Sequence, residues 1–533
     1  MDGCKICNGC SIFSGENDMT GELFGAIDVG SYEMALKIFE LSAKNGVREL
    51  DCVRHRMDIG SETYASGAIS NRHVEEMIRI LSDFKKIMKG YGVTHYQAYG
   101  TSAVRETKDF VIVRDLIEQR TGIHIDVLSN SEQRFLDYKS IALKSDAFKE
   151  IIARPTAIVD IGGGSIQLSL FEKDTLVATQ NLKTGVLRIH TTMEEVHATR
   201  LKYVDLVSEL VNSQLSVFSK LHLKDRTIEN LIIIDDYVSP VIQKVKMGYE
   251  KMGYATREEY LKFMEQANGM SELEVAKKLG MPEENVPLLY VSAVLIKCIL
   301  DATKATNIWA PGITLCDGIA YEYAEKKNFI KSPHDFEQDI IACAQNISKR
   351  FMGSKSRRET LAKLALTIFD STKDLHNLTD RDRLLLQIAT ILHDCGKYIS
   401  VVNLGDCSYN IIMSTEIIGL SHMERLIVAN IVRYNHEQFD YYGSSSYYIK
   451  GLSKEEYLRV TKLTAIMRVA NGLDRTHKQK FKDVKVFVKD KELVIMVDTR
   501  ADITLEKGLF NNRASFFEAV YGIKPVIRQK KML

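Results

Sequence analysis

Apolar runs of strand length alternate with amphipathic stretches through the first part of the chain. "LFGAIDVG" is an apolar run that ends in a turn, and "EMALKIFEL" resumes as a second strand. "VRELDCVRHRMDIG" supplies a third strand and its exit loop. From Asn71, "NRHVEEMIRILSDFKKIMKGYG" sets Val74, Met77, Ile78, Leu81, Phe84 and Met88 at helical spacing, which predicts a helix ending at Gly90. "THYQAYGTSAVRE" reads as a strand with a polar turn, and "DFVIVRDLIEQRTG" as a helix. "IHIDVLSN" and "SEQRFLDYKSIALKS" repeat that strand–helix pair, with Ser131 the expected N-cap. "IVDIGGGSIQLSLF" breaks an apolar run with three glycines, so two strands join through a tight turn. Strands alternating with helices predict an α/β class.

One pattern occurs twice. "FGAIDVGSYEMALKIFE" (24–40) and "TAIVDIGGGSIQLSLFE" (156–172) share strand, Asp, small residue, Gly, turn and strand, with Asp28 and Asp160 in matching positions. The repeat predicts two similar α/β units facing across a cleft, each presenting one hairpin loop. Beyond about residue 335 the pattern changes to long helical periods with few glycines. "DVKVFVKDKELVIMVDT" then alternates around a Lys-Asp-Lys turn as a hairpin, and "SFFEAVYGIKPVIRQ" closes a small α+β piece. The expected domains are a tail (1–20), two α/β units (21–134 and 135–330), an all-α region (335–480) and an α+β end (481–533).

Composition changes this picture little. A chain of 533 residues is too long for one core, and 45% hydrophobic with 26% charged residues is ordinary for a globular protein. A net charge of +1 gives no general nucleic-acid or membrane surface, so any anion site must be local. The chain carries no run of about 18 uninterrupted apolar residues, and its polar N-terminus does not resemble a signal peptide. The expectation is a cytoplasmic protein without DNA or membrane partners. Nine cysteines make no disulfide framework in a chain of this size. Cys4, Cys7 and Cys10 are spaced as CxxCxxC, one thiolate short of a closed structural zinc site, in what reads as a disordered tail.

Glycine-rich turns at strand ends cradle phosphate, because bare backbone N–H groups close on its oxygens. The ordered set "AIDVGS", "YGTSAVRET", "VLSNSEQ", "IVDIGGGS" and "LKTGVLRI" resembles the exopolyphosphatase/guanosine pentaphosphate phosphohydrolase (Ppx/GppA) family. That family belongs to the actin/sugar-kinase/Hsp70-like ATPase superfold. The resemblance therefore implies two facing actin-like α/β domains, followed by the helical extension of long members. Phosphoanhydride hydrolysis needs a phosphoryl group held in line with water, its charge neutralised, and a group to orient that water. The amides of Gly30, Ser31, Gly162, Gly163, Gly164 and Ser165 can supply donors, with Gly185 and Arg188 completing the cradle. Arg105 can add a bidentate guanidinium. Asp28 and Asp160 can hold Mg²⁺ that bridges phosphate oxygens. Glu132 matches the family's catalytic carboxylate, and the resemblance implies that it activates the water. Arg54, His55, Arg56 and Lys183 are candidates for the trailing phosphates of a chain.

Several positions depart from the family pattern. Tyr32 and Glu33 replace small polar residues, Gln167 and Gln133 replace acids, Asp235–Asp236 stand where a Gly-Gly-Thr turn is usual, and Asp317 replaces a Glu. In the helical region, "LLLQIATILHDCGKYIS" carries His393–Asp394, which resembles the HD phosphohydrolase metal motif. The remaining ligand positions fall on Arg357, Leu404, Cys407 and Asn471, too few for a metal centre. The pair is expected to be structural, and the domain, with Arg433 and His436, to bind polyanion or dimerise. The expected function is Mg²⁺-dependent release of terminal phosphate from polyphosphate by a homodimer, with guanosine penta- or tetraphosphate as further partners. The competing expectation is a catalytically weakened protein that binds polyphosphate or alarmone. An ATP-dependent member of the superfold is disfavoured by the missing Gly-Gly-Thr turn.

Overall fold

The computed structural model describes residues 21–529 apart from 145–146, 199, 225, 245–252, 333, 475–477 and 482–483. Cys4, Cys7 and Cys10 lie outside the described residues. The first sheet contains β1 (Glu22–Val29), β2 (Glu33–Ser42), β3 (Gly46–Arg56), β4 (His95–Gly100) and β5 (Asp126–Val127), in the order β3-β2-β1-β4-β5. The second contains β6 (Thr156–Ile161), β7 (Ile166–Glu172), β8 (Thr175–Leu182), β9 (Asn230–Asp235), β10 (Tyr254–Thr256) and β11 (Asn307–Trp309), in the order β10-β11-β9-β6-β7-β8. Each sheet has three antiparallel strands continued by parallel ones on the side of its first strand, and in the second sheet β10 closes that edge antiparallel to β11.

The sequence repeat is also a structural repeat. Asp28 on β1 faces Ala35 on β2, and Asp160 on β6 faces Gln167 on β7. The two turns close with the same bond, Gly30 N–H to Glu33 O at 3.0 Å and Gly162 N–H to Ser165 O at 3.0 Å. β6 and β7 are buried almost throughout, which is why they read as continuous apolar runs rather than alternating ones.

The amphipathic stretch from Asn71 forms the helix Asn71–Tyr91, with Val74, Met77, Ile78, Leu81, Phe84 and Met88 all buried. The Ser70 side chain caps its start, and it ends one residue later than expected because Gly92, at φ 76°, takes the left-handed C-cap. The helix carrying Glu132 begins at Asn130, so Ser131 lies inside its first turn and Ser129 does the capping. A second difference concerns sheet membership. Helix Leu315–Lys326, expected with the second unit, returns to the first sheet and buries Leu315, Cys316, Ile319 and Ala320 against Phe24, Ala26, Phe39 and Leu41. Lys37 Nζ, from β2, reaches the Asp317 carboxylate of that helix at 3.0 and 3.2 Å, in a buried ion pair.

Helix Val286–Thr303 belongs to a segment long and apolar enough to cross a membrane by length and composition, although no uninterrupted apolar run marks it. Here most of it is packed into the core of the second unit. From Phe336 to Leu473 the chain is helical, and β12 (Val484–Lys489), β13 (Glu492–Val497) and β14 (Lys524–Gln529) form a third sheet beside helix Thr504–Tyr521. The helical region docks on the second unit through Phe336, which meets the Tyr138 ring edge-on at 5.1 Å.

Candidate functional site

The two hairpin loops face one cavity of about 340 Å³. Asp28, Gly30 and Ser31 line it from the first unit, and Asp160, Gly162, Gly163 and Ser165 from the second. Because the amides of Gly30 and Gly162 close their own turns, they are not free to bind a ligand as expected. The amides that follow, of Ser31 and of Gly163 and Gly164, donate to no backbone carbonyl among the described residues. Gly185 is a close-approach position, since a Cβ there would overlap Gly163 O and Ser165 N. The helix after it is pinned to the loop, with Val186 N–H on Gly162 O at 3.0 Å and Leu187 N–H on Gly163 O at 2.9 Å.

The inner end of the cleft is closed by a hydroxyl network that the sequence did not reveal. Tyr64 Oη shares hydrogen bonds with Ser31 Oγ at 2.7 Å and Ser102 Oγ at 2.5 Å. It sits so close to Gly164 that a Cβ there would overlap Ser102 and Tyr64. Arg188 stacks on the Tyr64 ring at 4.1 Å, donates to Gly164 O at 2.9 Å and pairs with Glu106. Tyr64 thus joins the loop of one lobe to that of the other.

Two expected catalytic residues stand off the cavity wall. Arg105 donates to Leu128 O at 2.5 Å and to Asn130 Oδ1, which fixes the entry to the Glu132 helix. Glu132 caps its own helix, its carboxylate accepting Ser129 N–H at 2.9 Å while Ser129 Oγ accepts Glu132 N–H at 3.2 Å. The residue before it in that helix, Ser131, donates to Glu416 of the helical region, so that region touches the first turn directly. Gln133 and Asp137, one helical turn apart, are the residues of this helix that reach the cavity. Their shared face is readable as an i, i+4 polar pair, a signal the sequence reading passed over.

The cavity is strongly acidic. Asp28, Glu33, Asp137, Asp160, Asp235, Asp236 and Glu284 line it, against Lys37, Arg54 and Arg56. Those cations are already paired: Lys37 with Asp317 and Glu49, Arg54 with Glu33 at 3.1 Å, Arg56 with Glu284. Burial, reinforced by the Asp236 and Glu33 carboxylates, pushes Asp28 up to about 8. Burial also pushes Asp160 up to about 7, although the Arg134 guanidinium pulls the other way. Asp137 is raised far above the ordinary carboxylate range by burial and its acidic neighbours. Arg134, not foreseen as a site residue, donates from Nε to Gln167 Oε1 and leaves its two terminal nitrogens buried without hydrogen bonds.

This donor set suits a hard divalent cation. Asp28 Oδ1 is a buried oxygen with no hydrogen-bond partner, close to carboxyls that resist ionising without positive charge. Among the described residues no group of three or more His, Cys, Asp and Glu forms a complete cage.

The helical region keeps its histidine–aspartate pair away from this cleft. Arg357 occupies the place of an expected ligand, 3.8 Å from Asp394 and donating to Asn471 Oδ1 at 3.2 Å. His393 Nδ1 bonds Thr390 O at 2.8 Å, Leu404 is buried apolar packing, and Cys407 is a free thiol. His436 contacts His393 O at 3.2 Å and is held near 3 by burial and neighbouring positive charge. Arg433 pairs with Asp406 at 2.7 Å and stacks on Tyr448 at 3.6 Å. Of the expected trailing-phosphate residues, Arg54 and Arg56 line the cleft. His55 turns to Arg79 and Glu76 on the far side of β3. Lys183 lines a separate groove between β8 and the helical region.

The chain is similar to several known proteins. A guanosine-5'-triphosphate,3'-diphosphate pyrophosphatase of Vibrio atlanticus is 19% identical over 449 residues, covering 84% of this chain and 86% of the relative. Exopolyphosphatase 1 of Mycobacterium leprae is 26% identical over 145 residues, or 27% of this chain and 42% of the relative. The crystal structure of an exopolyphosphatase from Cytophaga hutchinsonii matches with a TM-score of 0.50 at 18% identity, covering 57% of this chain and 98% of that one. That likeness is one of fold, the two-lobed α/β architecture of the actin/Hsp70 type. The model of the Ppx/GppA phosphatase family matches residues 44–327, and that of its domain III matches 341–513. With more than half of its length so matched, the chain belongs to the Ppx/GppA phosphatase family.

Proposed function

We propose that this protein is a Mg²⁺-dependent hydrolase that releases terminal phosphate from inorganic polyphosphate, with guanosine pentaphosphate as a second substrate. The observation that carries the reading is the pair of Asp-x-Gly hairpins, with Asp28 and Asp160, opening on one cavity from opposite lobes. Asp28 and Asp160 would hold the metal, which supplies charge neutralisation on phosphate oxygens when bound. The amides of Ser31 and Gly163–Gly164 and the hydroxyl of Ser102 bind and orient the terminal phosphoryl group. Glu132 orients the attacking water once substrate draws its carboxylate from the Ser129 amide; hydrogen bonds of this kind rearrange between free and bound enzymes. In the same reading the helical region is a degenerate HD-like domain in which Arg357 takes the place of a metal ligand.

A second reading, a weakened protein that binds the same polyanions, is favoured by specific contacts. Glu132 is engaged in a helix cap, Gln167 is held by Arg134, and the cleft's cations are all paired internally. Phosphate release from polyphosphate, guanosine pentaphosphate and ATP with Mg²⁺ separates the two. Release from either of the first two supports the hydrolase. Retained polyphosphate binding without release from any substrate overturns it in favour of the binding protein.

A further inference from the structure

We propose that the groove between β8 and the helical region is a docking site for an extended acidic peptide, which pairs with the open edge of β8 as an added strand. The groove lies apart from the cleft of the two hairpins, and its occupancy does not depend on the chemistry done there.

The groove has a volume of about 940 Å³, and Val177, Ala178, Thr179, Gln180 and Asn181 line it in unbroken succession. Successive side chains of a strand point to opposite faces of its sheet, so consecutive residues line one groove together only along the strand's edge. β8 is the last strand of its sheet. Asn346 Nδ2 donates to Leu176 O at 2.8 Å, which holds helix Phe336–Arg350 against the start of the strand. From Val177 to Asn181, no backbone group of β8 bonds a backbone group outside the sheet, among the described residues. The other edges of the two large sheets are guarded. β5 and β10 are two and three residues long, and β3 carries Arg48, Glu49, Asp51, Arg54 and Arg56. Short or charged edges resist pairing with another chain. β8 has eight residues and no charged side chain. Two buried polar atoms at the groove, Asn181 Oδ1 and His222 Nε2, have no hydrogen-bond partner.

The chemistry of the walls selects the occupant. Lys183, Lys349 and Arg350 line the groove and form no ion pair among the described residues, and Arg226 reaches Glu172 at 3.7 Å. Among the described residues the wall has one carboxylate, Glu416, which is engaged by Ser131 and by Arg425 at 3.5 Å. Leu221, Phe351 and Ile399 add apolar surface, with Leu221 51% and Ile399 62% exposed. A bare phosphate chain has no N–H for the strand's carbonyls and nothing apolar for these side chains. A second copy of β8 would bring the same unpaired cations against these. An extended peptide supplies N–H and C=O groups at the strand's own repeat, and its acidic side chains answer the cations.

Fluorescence anisotropy of the full chain with a labelled octapeptide of alternating valine and glutamate tests the proposal. Its controls are the valine–lysine octapeptide and two N-methylated forms of the acidic one, methylated at every valine amide or at every glutamate amide. The acidic peptide should bind at least ~10-fold more tightly than the basic one. Methylating one set of amides should cost at least ~10-fold and the other less than about threefold, because only every second amide of an added strand faces its partner. Lys183→Glu combined with Lys349→Glu, both at exposed positions, should weaken the acidic peptide by at least ~10-fold. Hydrogen exchange at Val177–Asn181 should slow when the peptide is added. Absence of saturable binding, or equal losses from the two methylated forms, would overturn the proposal. Long-chain polyphosphate that protects the same amides would overturn it in favour of a polyanion track. Protection that rises with protein concentration in the peptide-free chain would overturn it in favour of a second copy. Phosphate release enters none of these readouts, so the hydrolase reading stands or falls separately.

Discussion

The acidic cleft gives the proposed magnesium site a distinct pH signature. Asp28 and Asp160 are pushed by burial to about 8 and about 7. A cation that needs both ionised must displace protons below those values. At pH 6 roughly 1% of the first and 10% of the second would be ionised, rising to roughly 50% and 90% at pH 8. Their product gains on the order of 10²- to 10³-fold, so Mg²⁺ affinity should climb steeply between pH 6 and 8. Stability should move in the opposite sense without metal. Both carboxyls titrate higher in the folded chain than in the unfolded one, so their contribution is fully favourable below about 4 and is lost as pH rises toward 8. Mg²⁺ should therefore raise the melting temperature far more at pH 8 than at pH 6. Calorimetric titration in two buffers of different ionisation heat would count the protons released. A Mg²⁺ affinity flat from pH 6 to 8, or binding without proton release, would refute the reasoning.

Other perturbations follow from named contacts. Tyr64→Phe removes the oxygen that bridges Ser31 and Ser102, and should lower the KM for polyphosphate by freeing both hydroxyls; a KM unchanged or raised would mean that the bridge only supports the fold. Asp317→Asn leaves the buried Lys37 with the Glu49 carboxylate alone and should cost about 1–3 kcal/mol in urea unfolding, a loss that pairing Lys37→Met with Asp317→Leu should reduce. Gly185→Ala forces a methyl into Gly163 O and Ser165 N, and should cost about 1–3 kcal/mol with weakened phosphate binding measured by competition.

Much of the fold was legible because its elements announce themselves locally. The period-3.6 spacing from Val74 to Met88 and the apolar runs of β1 and β6 need no distant information. The return of Leu315–Lys326 to the first sheet was not legible. Its place is set by packing on Phe24, Ala26, Phe39 and Leu41 and by the long-range pairing of Asp317 with Lys37, neither marked by a local pattern. The site divides in the same way. The hairpin turns were visible as Asp-x-Gly, and the cleft brings both together. The Tyr64 bridge and the Arg134–Gln167 contact join residues far apart in sequence, with no local pattern to mark them. Glu132 was ambiguous for a different reason. A first-turn acid three residues after a serine has the same sequence signature whether it caps a helix or orients a water, and in the free chain it caps.

The proposed hydrolysis turns on Glu132. The most direct measurement compares the steady-state rate of phosphate release from polyphosphate by the wild type and by Glu132→Gln, with polyphosphate affinity measured on both. The amide can still accept the Ser129 N–H, so the helix cap survives the change. A kcat lowered by about 10²- to 10⁴-fold at unchanged affinity is the result expected of a water-orienting carboxylate. A Glu132→Gln variant that turns over polyphosphate at the wild-type rate would contradict that role and leave the carboxylate as a helix cap alone.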